Sequence, residues 1–135
     1  NGDRYEGEYK DGLRHGQGVS TYSDSDHYEG EWRNGFFEGQ GVYVYASGTR
    51  YEGEFKNGEF EGQGVYTYSN GDRYEGEWKN SKLNGKAAFV WANGTRSEGE
   101  YINDSLHGRF IITYTDGFQI EEFYQYGELI TETTQ

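Results

Sequence analysis

The feature that most constrains this chain is a signature that returns every 23 residues. Tyr5-Glu6-Gly7-Glu8-Tyr9 recurs as Tyr28-Glu29-Gly30-Glu31-Trp32, as Tyr51-Glu52-Gly53-Glu54-Phe55 and as Tyr74-Glu75-Gly76-Glu77-Trp78. A weaker copy follows at Ser97-Glu98-Gly99-Glu100-Tyr101. A second half repeats in step: Gly16-Gln17-Gly18-Val19, Gly39-Gln40-Gly41-Val42 and Gly62-Gln63-Gly64-Val65, with Gly85 and Gly108 keeping the place later. Turn signals separate the halves (Asp11-Gly12, Asn34-Gly35, Asn57-Gly58) and the units (Ser47-Gly48, Asn70-Gly71, Asn93-Gly94, Asp116-Gly117). Glycine and asparagine supply the positive φ that tight turns need. Two short alternating segments closed by such a turn make a β-hairpin, whereas glycine at this density would cost a helix about 1 kcal/mol per residue relative to alanine. A fixed period in this range means an array of like units. The expected fold is all-β: an elongated single-layer antiparallel meander of hairpins, slightly twisted and curved. At about 4.8 Å per strand it would span roughly 55–60 Å. The units fall at about 1–24, 25–47, 48–70, 71–93 and 94–117, followed by a degenerate capping hairpin over 118–135.

Alternation within the first strand assigns two unlike faces, because successive side chains of a strand point to opposite sides. Arg50, Glu52, Glu54 and Lys56 share one parity, and Tyr51, Gly53 and Phe55 the other; residues 4–10 and 73–79 read the same way. One face is therefore a charge lattice holding eight of the twelve bases, and its exposed pairs are worth under about 1 kcal/mol each. The other is an aromatic ladder whose glycines leave room for rings to lie flat. The second strand adds Tyr22, Tyr45, Tyr68, Trp91 and Tyr114 in one register. Val19, Val42, Val65 and Ile111 take the opposite parity, with Ala88 in the same place. Phe37, Phe60, Leu83 and Leu106 are expected inside the hairpin loops, packed down as lids. A lone hairpin is marginal, so stability should come from stacking like units.

Composition excludes several function classes. Only 32% of the residues are apolar, yet 14 Tyr, 8 Phe and 3 Trp supply most of that share. Disordered chains are poor in aromatics. The net charge of −12 opposes the phosphate neutralisation that nucleic acids demand and disfavours anionic membranes. There is no cysteine, hence no disulfide or thiolate site. No apolar run approaches the roughly 20 residues of a membrane-spanning helix, and no signal peptide is visible. Methionine is absent and Asn1-Gly2-Asp3-Arg4 recurs verbatim at Asn70-Gly71-Asp72-Arg73. The chain is thus expected to be cut from a longer protein near a repeat boundary.

The unit Tyr-Glu-Gly-Glu-Trp-Lys-Asn, followed at fixed spacing by Gly-x-Gly, resembles the MORN (membrane occupation and recognition nexus) repeat. Tyr74 to Lys79 and Tyr51 to Asn57 carry it best, and it covers residues 1–117. The last unit departs, with Ile120 for the tyrosine and Glu122 for the glycine, while Tyr126-Gly127 keeps a turn. The resemblance implies a curved all-β rod used as a scaffold or linker in cytoskeletal, ciliary or membrane-junction assemblies, or as an accessory module beside an enzyme. The membrane association in the family's name sits badly with the charge of −12.

Catalytic and metal constellations do not stand out. Glu6 and Glu8 share a face at roughly 6.5–7 Å, a spacing glycosidases use, but the pair recurs in five units and catalysis needs one unique site. His15 and His107 hold the same repeat position roughly 40 Å apart by strand spacing, and His27 has no companion ligand. Gly35 to Gly41 does not open a helix, so it is no phosphate cradle. Neither a cofactor nor a metal is expected, and the chain is read as non-enzymatic. Asp24, Asp26, Glu38, Glu59 and Glu61 gather in turns, where they serve solubility or dock a basic partner. The ladder carries the main functional expectation. Tyr28, Trp32, Tyr51, Phe55, Tyr74, Trp78 and Tyr101 are either core or the lining of a concave aromatic groove, since rigid rings make typical binding hot spots. The leading expectation is a scaffold that binds a helical or extended segment of another polypeptide along that groove, in a cytoplasmic setting, with the association to cytoskeleton or cilium that the resemblance implies. The alternative is an architectural rod that self-associates through its repeat ends or edges. Lipid binding ranks below both.

Overall fold

In the computed structural model, which describes residues 2–134, twelve antiparallel strands form one open sheet in strictly sequential order. They are β1 (Arg4–Lys10), β2 (Leu13–Thr21), β3 (His27–Arg33), β4 (Phe36–Val44), β5 (Arg50–Lys56), β6 (Glu59–Thr67), β7 (Arg73–Lys79), β8 (Lys82–Val90), β9 (Arg96–Ile102), β10 (Ser105–Thr113), β11 (Gln119–Gln125) and β12 (Glu128–Thr134). The all-β meander expected from the repeat is therefore the fold observed.

Two-residue turns close the hairpins. Asn34 and Gly35 have φ of 51° and 85°, and Asn57 and Gly58 repeat those values. Positive φ at both central positions matches the right-handed twist of the flanking strands. The turns also join neighbours: the amides of Gly35, Gly58, Ser81, Asp104 and Gly127 donate to the carbonyls of Arg14, Phe37, Phe60, Leu83 and Leu106. Each unit thus grips the one before it by the same bond. Because the turns are so short, Phe37, Phe60, Leu83 and Leu106 are not loop lids. They lie within the second strands, directly across from Trp32, Phe55, Trp78 and Tyr101.

A bulge recurs inside the hairpins, for example between Gly30 and Trp32 on β3 and between Gly53 and Phe55 on β5. It divides the expected charge lattice into two kinds of glutamate. Glu31, Glu54 and Glu8 reach across it and accept the amides of Gln40, Gln63 and Gln17 at 2.6, 2.7 and 2.7 Å. Their carboxylates lie on the left-handed glycines Gly39, Gly62 and Gly16, where a methyl group would collide with them. The other glutamates form the lattice proper. Arg50 pairs with Glu52 at 2.6 Å, and Glu75 is held by Arg73 and Arg96 at 3.0 and 2.6 Å. Val42 and Val65 lie between those glutamates in the cross-strand rows.

The core is the opposite face. Gly18 pairs with Gly7 and Gly30, Gly41 with Gly30 and Gly53, and Gly64 with Gly53 and Gly76, making a bare backbone floor. The rings of Tyr5, Tyr28 and Tyr51 lie on it, so close that a methyl at Gly18, Gly41 or Gly64 would coincide with them. Their hydroxyls donate to the Glu8, Glu31 and Glu54 carbonyls at 2.7–2.9 Å. Phe37 stacks on Tyr28 at 4.0 Å and Phe60 on Tyr51 at 3.8 Å. The next unit closes the pile edge-on, with Phe55 against Tyr28 at 5.1 Å and Trp78 against Tyr51 at 5.5 Å. Trp32 and Trp78 also donate their indole N–H to the carbonyls of Gly18 and Gly64 one unit back. Each well-placed ring pair adds about 0.5–1.5 kcal/mol beyond its area.

Candidate functional site

The sequence left two states open for the first-strand rings, and the structure gives packing for six of the seven. Tyr28 and Tyr51 are fully buried, and Trp32, Phe55, Trp78 and Tyr101 are at most 6% exposed. Tyr74 alone is half-buried. The cause lies on β8, where Ala87 stands in the place of Gly18, Gly41 and Gly64. Its methyl denies the Tyr74 ring a flat seat. Tyr74 does not make the hydroxyl-to-carbonyl bond of Tyr5, Tyr28 and Tyr51. It turns instead toward Phe89 at 4.7 Å and Tyr68 at 6.2 Å.

A strip of half-buried and exposed rings on this face comes from the second strands and the turns that follow them. Tyr43 contacts Tyr45 at 4.8 Å, Tyr45 reaches Tyr66 at 6.2 Å, and Tyr66 contacts Tyr68 at 5.3 Å. Through Tyr74 the chain of contacts continues to Phe89 and on to Trp91 at 4.8 Å. At the other end Tyr22 stacks on Tyr43 at 6.5 Å. The outermost members are set by one repeated turn: the amides of Tyr22, Tyr45, Tyr68, Trp91 and Tyr114 each donate to the carbonyl four residues on, at 2.8–2.9 Å. Tyr68, Trp91 and Tyr114 are 38–40% exposed. The shared register of these five positions is visible in the sequence. Their prominence over the first-strand rings is not, because it depends on which rings the next unit covers.

Two hollows of about 500 and 620 Å³ open on this strip and share Tyr74. The first runs between Phe37 and Leu83 and includes Tyr45, Tyr68 and Asp104; the second includes Trp91, Tyr114 and Glu122. Neither is lined by lysine or arginine. Burial raises the hydroxyl pKa of Tyr45, Tyr66 and Tyr74 above the ordinary tyrosine value. Burial does the same for Tyr43, helped by its hydrogen bond to Asp26 at 2.8 Å. In the first unit Arg14 takes the place of Phe37 and sets its guanidinium over Tyr5 at 4.6 Å and over Trp32 at 5.2 Å.

The acidic residues singled out in the sequence are not gathered into one docking site. Asp26 is engaged structurally, accepting the Tyr43 hydroxyl and the Ala46 amide. Asp24 accepts the Asp26 amide and stays exposed. Glu38, Glu59 and Glu61 lie beside the hairpin turns, at the opposite edge of the sheet and on the lattice face. Glu38 reaches the Asn57 amide at 3.4 Å. The residue missed in that reading is Asp104, at a turn position of φ 72° that glycine holds in the first three units. Among the described residues no group of three or more histidines and acids could hold a metal ion. Nor, among the described residues, is any helix long and apolar enough to cross a membrane.

Four consecutive matches to the MORN repeat cover residues 5–27, 28–50, 51–73 and 74–96. The chain belongs to the MORN repeat family. The first three matched units begin on Tyr5, Tyr28 and Tyr51, whose rings lie on the glycine floor, so the MORN signature reads as the recipe for that packing: a ring, a glycine beneath it and a capping glutamate. The MORN repeat is a non-enzymatic repeat module. No curated protein matches the chain. Among solved structures, the SAS-4 (dCPAP) TCP domain of Drosophila melanogaster, in complex with a proline-rich motif of Ana2 (dSTIL), aligns at 16% identity over 89% of this chain and 73% of that chain, with a TM-score of 0.48.

Proposed function

We propose that these MORN repeats form a non-enzymatic scaffold that grips a segment of another polypeptide along the exposed aromatic strip. The observation that carries this reading is the division of labour between rings. One set is consumed in holding the sheet together, while Tyr68, Trp91 and Tyr114 stay exposed and Tyr45 half-buried beside two hollows. Large rigid rings bind with little loss of conformational freedom, and an apolar strip with a few polar groups is the usual make-up of a hot spot. The test is a titration with the purified partner. Tyr45→Ala combined with Tyr68→Ala is expected to weaken binding at least about tenfold, as hot-spot truncations do, while Glu52→Gln with Glu98→Gln on the lattice face leaves it unchanged. Equal affinity for wild type and the tyrosine variant, with the fold intact, defeats the reading.

A second reading, self-association through a sheet edge, draws on β12, where Leu129 and Ile130 are 50% and 56% exposed. An unpaired edge is a template for another strand. Light scattering separates the two readings: growth of the scattering mass with concentration supports association, and a constant monomer mass removes it.

A further inference from the structure

We propose that the segment held by the strip is a basic polyproline II helix lying along the long axis of the ribbon. This rests on the scaffold reading above and names its occupant. The first argument is a match of periods. The outer rings recur once per hairpin, at the same place in the same turn. Two strand spacings separate them, about 9.4–9.8 Å. A polyproline II helix has three residues per turn and rises about 3.1 Å per residue, so the same face returns about every 9.3 Å. Every third residue would meet an equivalent ring, with a drift of at most about 0.5 Å per unit by those two spacings. Other backbones fit less well. An α-helix offers a like-facing residue after seven positions, about 10.5 Å on, and drifts about 1 Å per unit. A β-strand covers the distance in about three residues and then faces the wrong way.

The second argument is chemical. Proline-rich segments dock in aromatic-lined grooves because their helix is formed before binding. They expose carbonyls that no internal bond occupies, and the hydroxyls of Tyr45, Tyr66 and Tyr74, which line the first hollow, are the donors this face presents. Charge sets the sign of the remaining side chains. Asp104 and Glu122 line the hollows and no base does. The chain itself places a guanidinium on the same face, where Arg14 lies over Tyr5 and Trp32. A cation over a ring is attracted by the ring's quadrupole, so arginines between the prolines suit this surface.

The readout is Trp91 fluorescence, since Trp91 sits in the strip while Trp32 and Trp78 are buried. The probes are a twelve-residue Pro-Pro-Arg repeat, a Gly-Ser-Arg repeat of the same length and charge, an alanine-rich helical peptide of the same charge, and a Pro-Pro-Glu repeat. The Pro-Pro-Arg peptide is expected to bind at least about tenfold tighter than the other three, the advantage that preorganisation and charge give. Tyr45→Ala with Tyr68→Ala should abolish that advantage, and Asp104→Asn, which keeps the acceptor for the Leu83 amide, should weaken binding severalfold. Equal or tighter binding of the helical or Gly-Ser-Arg peptide, lost in the tyrosine variant, overturns the polyproline assignment and leaves the strip reading standing. No binding of the Pro-Pro-Arg peptide overturns the assignment too. Binding that survives intact in the folded tyrosine variant overturns both.

Discussion

At the scale of single residues, one methyl group decides whether a tyrosine is core or surface. Gly41 and Gly64 let Tyr28 and Tyr51 lie flat and fully buried. Ala87 lifts Tyr74 off the same seat and so opens the wall shared by both hollows. Gly64→Ala should therefore lift Tyr51 in the same way. The expected cost is about 1–3 kcal/mol, the usual penalty of an overfilled core, read by thermal denaturation, together with new solvent accessibility at Tyr51. An unchanged melting temperature would show that the ring does not need the bare floor. The sequence announces the glycine next to each tyrosine. Which strand's glycine the ring covers is a matter of cross-strand register, and no run of neighbouring residues displays it.

At the scale of the hairpin, turn and bulge set the register together. Gly58 has φ of 85° and its side-chain position is open apart from Phe36. Gly58→Ala is expected to cost about 1–2 kcal/mol, the penalty for a left-handed alanine, measured by chemical denaturation. Ser81 and Asp104 carry the same strain at φ of 66° and 72° but give something back. Their side chains accept the Phe60 and Leu83 amides of the preceding unit. Ser81→Gly should accordingly change stability by less than about 0.5 kcal/mol, because a relieved backbone offsets a lost hydrogen bond of about 1 kcal/mol. Either result outside those limits contradicts the account of the turns. The first three hairpins were legible from Asp11-Gly12, Asn34-Gly35 and Asn57-Gly58, and the later ones from the 23-residue period. The bulge was not, and it is what takes half of the repeated glutamates out of the charge lattice and makes them caps.

At the scale of the whole molecule, the sheet has no second layer, so each unit is held mainly by its neighbours and stability accumulates along the ribbon. The strands and their order follow from a period that the sequence keeps for five units. The exposed strip does not follow from it, because the ladder and strip rings share one face and only overlap between successive units separates covered from exposed. The buried tyrosines also tie the fold to pH. Burial raises the hydroxyl pKa of Tyr28, Tyr51 and Tyr101, and raises that of Tyr124 to about 12 with help from Glu122. A folded-state pKa above the unfolded value near 10 contributes stability that is complete below about pH 10 and is lost as pH rises toward the folded value. Unfolding followed by circular dichroism should thus set in above about pH 10, together with the tyrosinate absorbance. Ionisation of those buried hydroxyls at pH 10 without loss of the sheet would contradict it.

The central claim is the separation of structural from binding rings, and hydroxyl-radical footprinting with and without the bound polypeptide tests it most directly. In the free protein Tyr68, Trp91 and Tyr114 should be labelled, and Tyr28, Tyr51 and Phe110 spared. On binding, Tyr68 and Trp91 should become protected while the lattice-face Val19 keeps its labelling. Labelling of Tyr28 and Tyr51 in the free protein, or a complex that leaves Tyr68 and Trp91 as reactive as before, would contradict it.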